Sequence, residues 1–233
     1  MNTLFNPTVC GPLHLGHLYL ILVNLKASAN GQFVVLFDDI QAYWIEQLGK
    51  EKLQANCELI QQDLDWMGIH PKYVFMSQHE KELQSDLVPL GRLTNLFVVM
   101  PDDNEYANTI SFERPYPYVP YQTALKVAIH RKNGVDLLIR GEDLATEFGL
   151  YCHFCTLLGF PIPKMYFIPK LMDGVSGELC DVSKTKGTHK ICTYRERGFS
   201  PESLIEILSH SCLNDPTLGF ELNNIKKFPR LIR

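Results

Sequence analysis

The chain has 233 residues, 45% hydrophobic and 21% charged, enough for one large or two small domains, and at this size neither disulfides nor a structural metal is needed for stability. The formal net charge of −4 is not the footprint of a protein whose main work is gripping nucleic acid, and no apolar run approaches the roughly 20 residues of a membrane span. The opening MNTLFNPTVCGPLHLGH lacks the features of a secretory leader, and seven cysteines scattered from Cys10 to Cys212 read as reduced thiols, so a cytoplasmic location is expected.

In chain order, a first strand leads into the turn Asn6–His17, and a helical pattern follows over Leu15–Ala29. Phe33–Phe37, Tyr73–Met76, Leu96–Met100, Val135–Ile139 and Met165–Ile168 are short, β-branched or aromatic runs that predict buried strands. Between and after them, Gln47–Met67, Gln78–Leu93, Gln122–His130, Asp143–Leu158 and Ser200–Ser209 carry apolar residues three and four apart, as helices do. Strand and helix in alternation predict an α/β fold, a Rossmann-like parallel sheet that binds a nucleotide beyond the carboxyl ends of its strands, with a short helical C-terminal tail. Asp102–Pro120, with DDNEYANT and three prolines, reads as an insertion or flexible connection.

Two segments carry the chemistry. In the first turn, His14 and His17 share one face at a helix N-terminus, beside free backbone N–H groups, and Gly11 and Gly16 permit close approach of a phosphate. Far along the chain, Asp181-Val182-Ser183-Lys184-Thr185-Lys186-Gly187 reads as a mobile loop able to bring ammonium groups onto phosphates. The charge is uneven: residues 181–233 carry +3 and the first 180 carry −7. Most of the tail charges, Arg195 and Arg197 among them, read as solvated. Cys152-His153-Phe154-Cys155 reads as packed thiols rather than a metal site, and His130 and His189 as surface or satisfied histidines.

Pro12-Leu13-His14-Leu15-Gly16-His17 resembles the first signature of the class I aminoacyl-tRNA synthetases, and Asp181–Lys184 followed by Thr185-Lys186-Gly187 resembles their second. Arg140-Gly141-Glu142-Asp143, Leu158-Gly159-Phe160-Pro161 and Tyr194–Leu204 are similar to segments of the glutamyl branch, which includes glutamyl-tRNA synthetase and glutamyl-Q tRNA(Asp) synthetase. The resemblance implies activation of an amino acid with ATP and Mg2+ as an adenylate. It implies catalytic roles for His14, His17 and Lys184, ATP contacts from Thr8, Gly11, Gly16, Glu142, Ser183 and Lys186, and an amino-acid pocket at Asp38, Tyr121, Gln122, Lys126 and Arg140. No metal ligands are expected on the chain. The implied division is a catalytic domain over 1–199, with a reduced insertion near 95–120, and a helical tail over 200–233.

The sequence departs from the branch where specificity would be set. Asp181 stands where the second signature has its first lysine, and Leu4 where the branch has an arginine that would clasp a glutamate side chain. Gln122 and Lys126 replace a tyrosine and an asparagine, while Arg140 is retained. Glutamate is the default substrate and a related amino acid its rival. No anticodon-binding domain is expected. The negative net charge favours a small amine or carrier-protein acceptor over tRNA, with aminoacylation or modification of tRNA as one alternative and a degenerate core that binds a nucleotide or partner without turnover as another.

Overall fold

Phe33–Phe37 has no polar residue to offer a solvent face, and it is buried along its whole length as strand β2. β2 pairs in parallel with β1 (Thr3–Phe5) on one side and β3 (Lys72–Phe75) on the other. β4 (Leu137–Gly141) adds to the far side of β1 and β5 (Lys164–Ile168) to β4, so the parallel sheet runs β3-β2-β1-β4-β5. The structure is a computed structural model that describes residues 1–44, 47–82, 118–168, 172–173, 180–181 and 189–211. The predicted strand Leu96–Met100 lies outside the described residues.

Helices cover both faces of the sheet. α1 (Leu15–Ala27) follows β1, α2 (Asp39–Trp44) and α3 (Lys50–Trp66) follow β2, and α4 (Met76–Glu82) follows β3. α5 (Tyr118–Lys132) precedes β4, and a 3-10 turn over Glu142–Glu147 leads from β4 into α6 (Phe148–Leu157). After β5, the two-residue strands β6 (Met172–Asp173) and β7 (Cys180–Asp181) pair antiparallel, and α7 (Ile191–Glu196) and α8 (Pro201–Ser211) follow. Alternate residues of the central strands belong to different cores, because successive side chains of a strand point to opposite faces. Phe5, Val35, Phe37, Leu137 and Ile139 pack with Leu18, Ile21 and Leu22 of α1, Ile60 and Leu64 of α3 and Leu204 and Leu208 of α8. Leu4, Val34, Leu36 and Leu138 pack with Leu125 and Ile129 of α5 and Phe154 of α6.

Several predicted boundaries move. β4 begins at Leu137 rather than Val135, because Asp136 is occupied with Asn2, whose backbone N–H it accepts at 3.1 Å, and the strand instead continues through Arg140 and Gly141 opposite Phe167 and Ile168. α5 starts four residues before Gln122, so the connection expected up to Pro120 is already helical from Tyr118. The helix expected over Gln47–Met67 is α3, from Lys50 to Trp66, and a short α2 that the spacing did not predict sits directly on the end of β2. Leu4 is 2% exposed at the centre of the sheet. Leu4→Ala is expected to lower unfolding free energy by about 2–5 kcal/mol, the usual range for a buried leucine, measured by urea titration.

Candidate active site

The sheet order reverses at β1, since the chain moves outward through β2 and β3 and returns to place β4 on the other side. That switch point is where parallel α/β sheets open a crevice at the carboxyl ends of their strands. The loop leaving β1 there is fixed by the chain around it. Asn6 Nδ2 donates to the Leu36 carbonyl at 2.8 Å, Asp38 N–H to the Pro7 carbonyl at 3.1 Å, and Asn56 Nδ2 of α3 to the Val9 carbonyl at 2.8 Å. Thr8 and Asp38 form an isolated parallel bridge at the same level.

His14 is the N-cap of α1, in extended conformation, and His17 is the third helical residue. The His14 backbone N–H donates to His17 Nδ1 at 3.2 Å, and the two rings lie 3.7 Å apart, centroid to centroid. With Nδ1 an acceptor, neutral His17 must carry its proton on Nε2, which makes that nitrogen a donor. Phe5 meets the His17 ring edge-on at 5.8 Å and limits its rotation. The first turn of α1 has no acidic side chain, and a Cβ placed on Gly11 would meet nothing within 4 Å. Gly16 follows as the second helical residue, half-buried. This end of α1 therefore suits an anion, both by its dipole and by the room in front of it.

The chain just beyond the second segment returns to the same helix end. Ile191 N–H donates to the Leu13 carbonyl and Leu15 N–H to the His189 carbonyl, both at 3.0 Å, while His14 and Lys190 form an antiparallel bridge. His189 takes φ +54°, a left-handed conformation that is uncommon outside glycine, and its Nδ1 lies 2.7 Å from the Tyr194 hydroxyl. His189 is thus committed to Tyr194, in keeping with a satisfied histidine. Ser183, Lys184 and Lys186 lie outside the described residues; Asp181, before them, belongs to β7 and pairs with Met172.

Of the pocket residues, the structure brings Asp38, Gln122 and Lys126 into one buried cluster. Gln122 Nε2 donates to Asp38 Oδ2 at 2.6 Å, and Lys126 Nζ stands 3.1 Å from the same oxygen. Lys126 and Arg140 both line a small open recess, together with Thr123, Leu144, Glu147, Phe148, Tyr151 and Met165. Tyr121 is the residue before Gln122 on α5, and Glu142 opens the 3-10 turn after β4; nothing is described of either side chain. Leu4 is packed into the sheet core and takes no part in the recess. Sequence reading missed Gln41, whose Oε1 accepts from Gln122 Nε2 at 2.7 Å, and Tyr151, whose hydroxyl lies 2.8 Å from His130 Nδ1. His130 is 2% exposed, and burial, with the nearby Arg140 and Lys126 charges, holds its pKa well below the usual histidine value. A buried neutral histidine gives no local signal in sequence. Cys155 is buried beside Tyr151, and burial pushes its thiol up to about 11, as expected of a packed thiol.

No family model matches the chain. A glutamate–tRNA ligase of Wolinella succinogenes is 33% identical over 75 residues, 32% of this chain and 16% of that relative. A glutamate–tRNA ligase of Ruegeria pomeroyi is 23% identical across 92% of this chain and 61% of its own length. The crystal structure of glutamate–tRNA synthetase from Elizabethkingia anophelis superposes with a TM-score of 0.64 at 15% identity, covering 99% of this chain and 66% of that one. The chain thus spans less than two thirds of the length of these curated relatives. The fold is a Rossmann-like parallel α/β fold that this synthetase structure also has. In sequence, the chain is similar to glutamate–tRNA ligases. Among the described residues no helix is long and apolar enough to cross a membrane.

One expectation is corrected at the edge of the site. Arg195 is not a solvated tail charge: its guanidinium stands 3.2 Å from Oδ1 of Asp63 on α3, a residue with no exposed surface. Neither Asp63 oxygen accepts a hydrogen bond among the described residues. Burial pushes its carboxyl from 3.8 up to about 7, with the Arg195 charge pulling the other way and Glu196 reinforcing the rise. Because the folded value is raised, the stability this group contributes is full below about pH 3.8 and is lost as pH rises through 7. Arg195→Ala leaves a bare carboxylate inside the protein above that pH. It is expected to cost about 3–5 kcal/mol at pH 8 and markedly less at pH 5, where Asp63 is protonated, as read by urea unfolding at both values. An equal cost at the two pH values would show that the pair is not coupled to Asp63 ionisation.

Proposed function

We propose that this chain activates an amino acid with ATP, its carboxylate attacking the α-phosphorus so that pyrophosphate leaves and an aminoacyl-adenylate is held for transfer. The observation that carries this reading is the pairing of Leu13–Leu15, inside the first signature, with His189–Ile191, a few residues beyond the second, at the N-terminus of α1. In phosphoryl transfer the protein chiefly positions reactants and neutralises charge growing on oxygens. On this reading His17, through Nε2–H, and His14 donate to those oxygens. Gly11 and Gly16 let phosphate approach the backbone, Thr8 and Glu142 border the nucleotide, and Ser183, Lys184 and Lys186 meet the outer phosphates, with Mg2+ carried in on them. Asp38, Tyr121, Gln122, Lys126 and Arg140 receive the amino acid, which we take to be glutamate or a close relative. Residues 1–199 form the catalytic unit and the tail begins at 200.

For the acceptor, the curated relatives are tRNA ligases by name, and this favours transfer to tRNA over the small acceptor that net charge suggests. The small amine or carrier keeps a place as the second reading on one observation, the charge of −4 with only +3 gathered in the tail. Transfer of labelled amino acid into acid-precipitable tRNA supports the first; adenylate formation without any charging of total tRNA supports the second.

Amino-acid-dependent exchange of labelled pyrophosphate into ATP tests the activation step itself. His14→Ala and His17→Ala are each expected to lower exchange on the order of 10²- to 10³-fold, with melting temperatures close to the parent. Lys184→Ala is expected to lower kcat more than it raises KM for ATP, because its contact strengthens as charge develops. Exchange at parental rates in both histidine variants would remove the assignment.

A further inference from the structure

Asp38 is 1% exposed, and its carboxylate is already engaged. Oδ1 accepts the Gln41 backbone N–H at 3.0 Å, and Oδ2 accepts Gln122 Nε2 at 2.6 Å while standing 3.1 Å from Lys126 Nζ. Asp38 does not line the recess, but Lys126, whose ammonium pairs with it, does. Arg140 lines the same recess, half-buried, and no carboxylate lies within ion-pair distance of it among the described residues. Glu147 is the other charged group on the lining.

These positions make the resting cluster self-satisfied. An entering ammonium group reaches Asp38 only by taking the place of Lys126. The evicted lysine then needs a new anion, because an unpaired charge in a mostly buried position is costly. We propose that Lys126 is a built-in occupant of the ammonium seat at Asp38 and the residue that restricts this site to acidic amino acids. The ligand's α-ammonium displaces Lys126 from Asp38, and the released lysine joins Arg140 on the ligand's side-chain carboxylate. The proposal rests on the amino-acid-activation reading for the class of ligand. Discrimination comes from two penalties: a neutral amino acid strands Lys126, and a dicarboxylate without an ammonium cannot evict it.

Calorimetric titration of the full chain with glutamate, glutamine and glutarate tests the exchange of partners without relying on turnover. The parent should bind glutamate at least about 10-fold more tightly than either of the others, the scale of one charge-assisted hydrogen bond. Lys126→Met should erase most of the gap between glutamate and glutamine, and Lys126→Arg should keep it. The proposal is overturned by a parent that binds no glutamate or does not distinguish the three ligands. It is equally overturned by a Lys126→Met protein of normal melting temperature whose glutamate-to-glutamine ratio is unchanged. Loss of the preference for glutamate over glutarate in Glu147→Gln would move the ammonium seat away from Asp38 and so sink the proposal too. Selective binding without glutamate-dependent pyrophosphate exchange would uphold the seat while defeating the activation reading.

Discussion

Two backbone hydrogen bonds, Ile191 to Leu13 and Leu15 to His189, hold the head of the first helix in place. They tie a segment near residue 190 to the helix that follows the first strand. The Leu15 N–H, one of the donors a helix start leaves over, is satisfied by the chain itself. His189 must turn through a left-handed conformation to present its carbonyl, and the Tyr194 hydroxyl braces its ring from α7. α3 supports both partners: Asn56 holds the Val9 carbonyl of the first loop, and Asp63 holds Arg195 of α7.

The two buried aspartates show how differently one side chain can be accommodated. Asp38 has donors from the backbone of Gln41, the amide of Gln122 and the ammonium of Lys126, a set that replaces much of what water would supply. Among the described residues Asp63 has one guanidinium and no hydrogen bond, and its carboxyl is driven toward neutrality. The first arrangement is a buried carboxylate whose partners are all supplied by the chain itself. The second is a packing contact whose strength depends on pH. Both sit at the margins of the same sheet, Asp38 just past β2 and Asp63 on the helix that covers the opposite face.

Much of the fold was legible because its signals are local. Phe33–Phe37 could only be a buried strand, and Leu15–Ala29 had the apolar spacing of a helix, which the structure forms over Leu15–Ala27. Boundaries failed where a neighbour in space overruled the pattern: Asn2 took Asp136 out of β4, and β5 drew Arg140 and Gly141 into it. α2 and α7 have six residues each, too short for periodicity to declare them. The histidine pair was legible because a helix start and two nearby glycines mark its place in one stretch of chain.

The sequence alone determined the α/β alternation, the positions of His14 and His17 at the head of a helix, and the family resemblance, since each resides in contiguous residues. Only the tertiary structure decided that Lys126 meets Asp38 across 88 positions of chain, that Arg195 pairs with the buried Asp63 and that residues 189–191 pair with 13–15. The reason is physical. A lysine or arginine on its own carries the same charge in a surface helix as in a buried pair, and which it becomes depends on what the packing of the sheet's two faces brings within hydrogen-bonding distance.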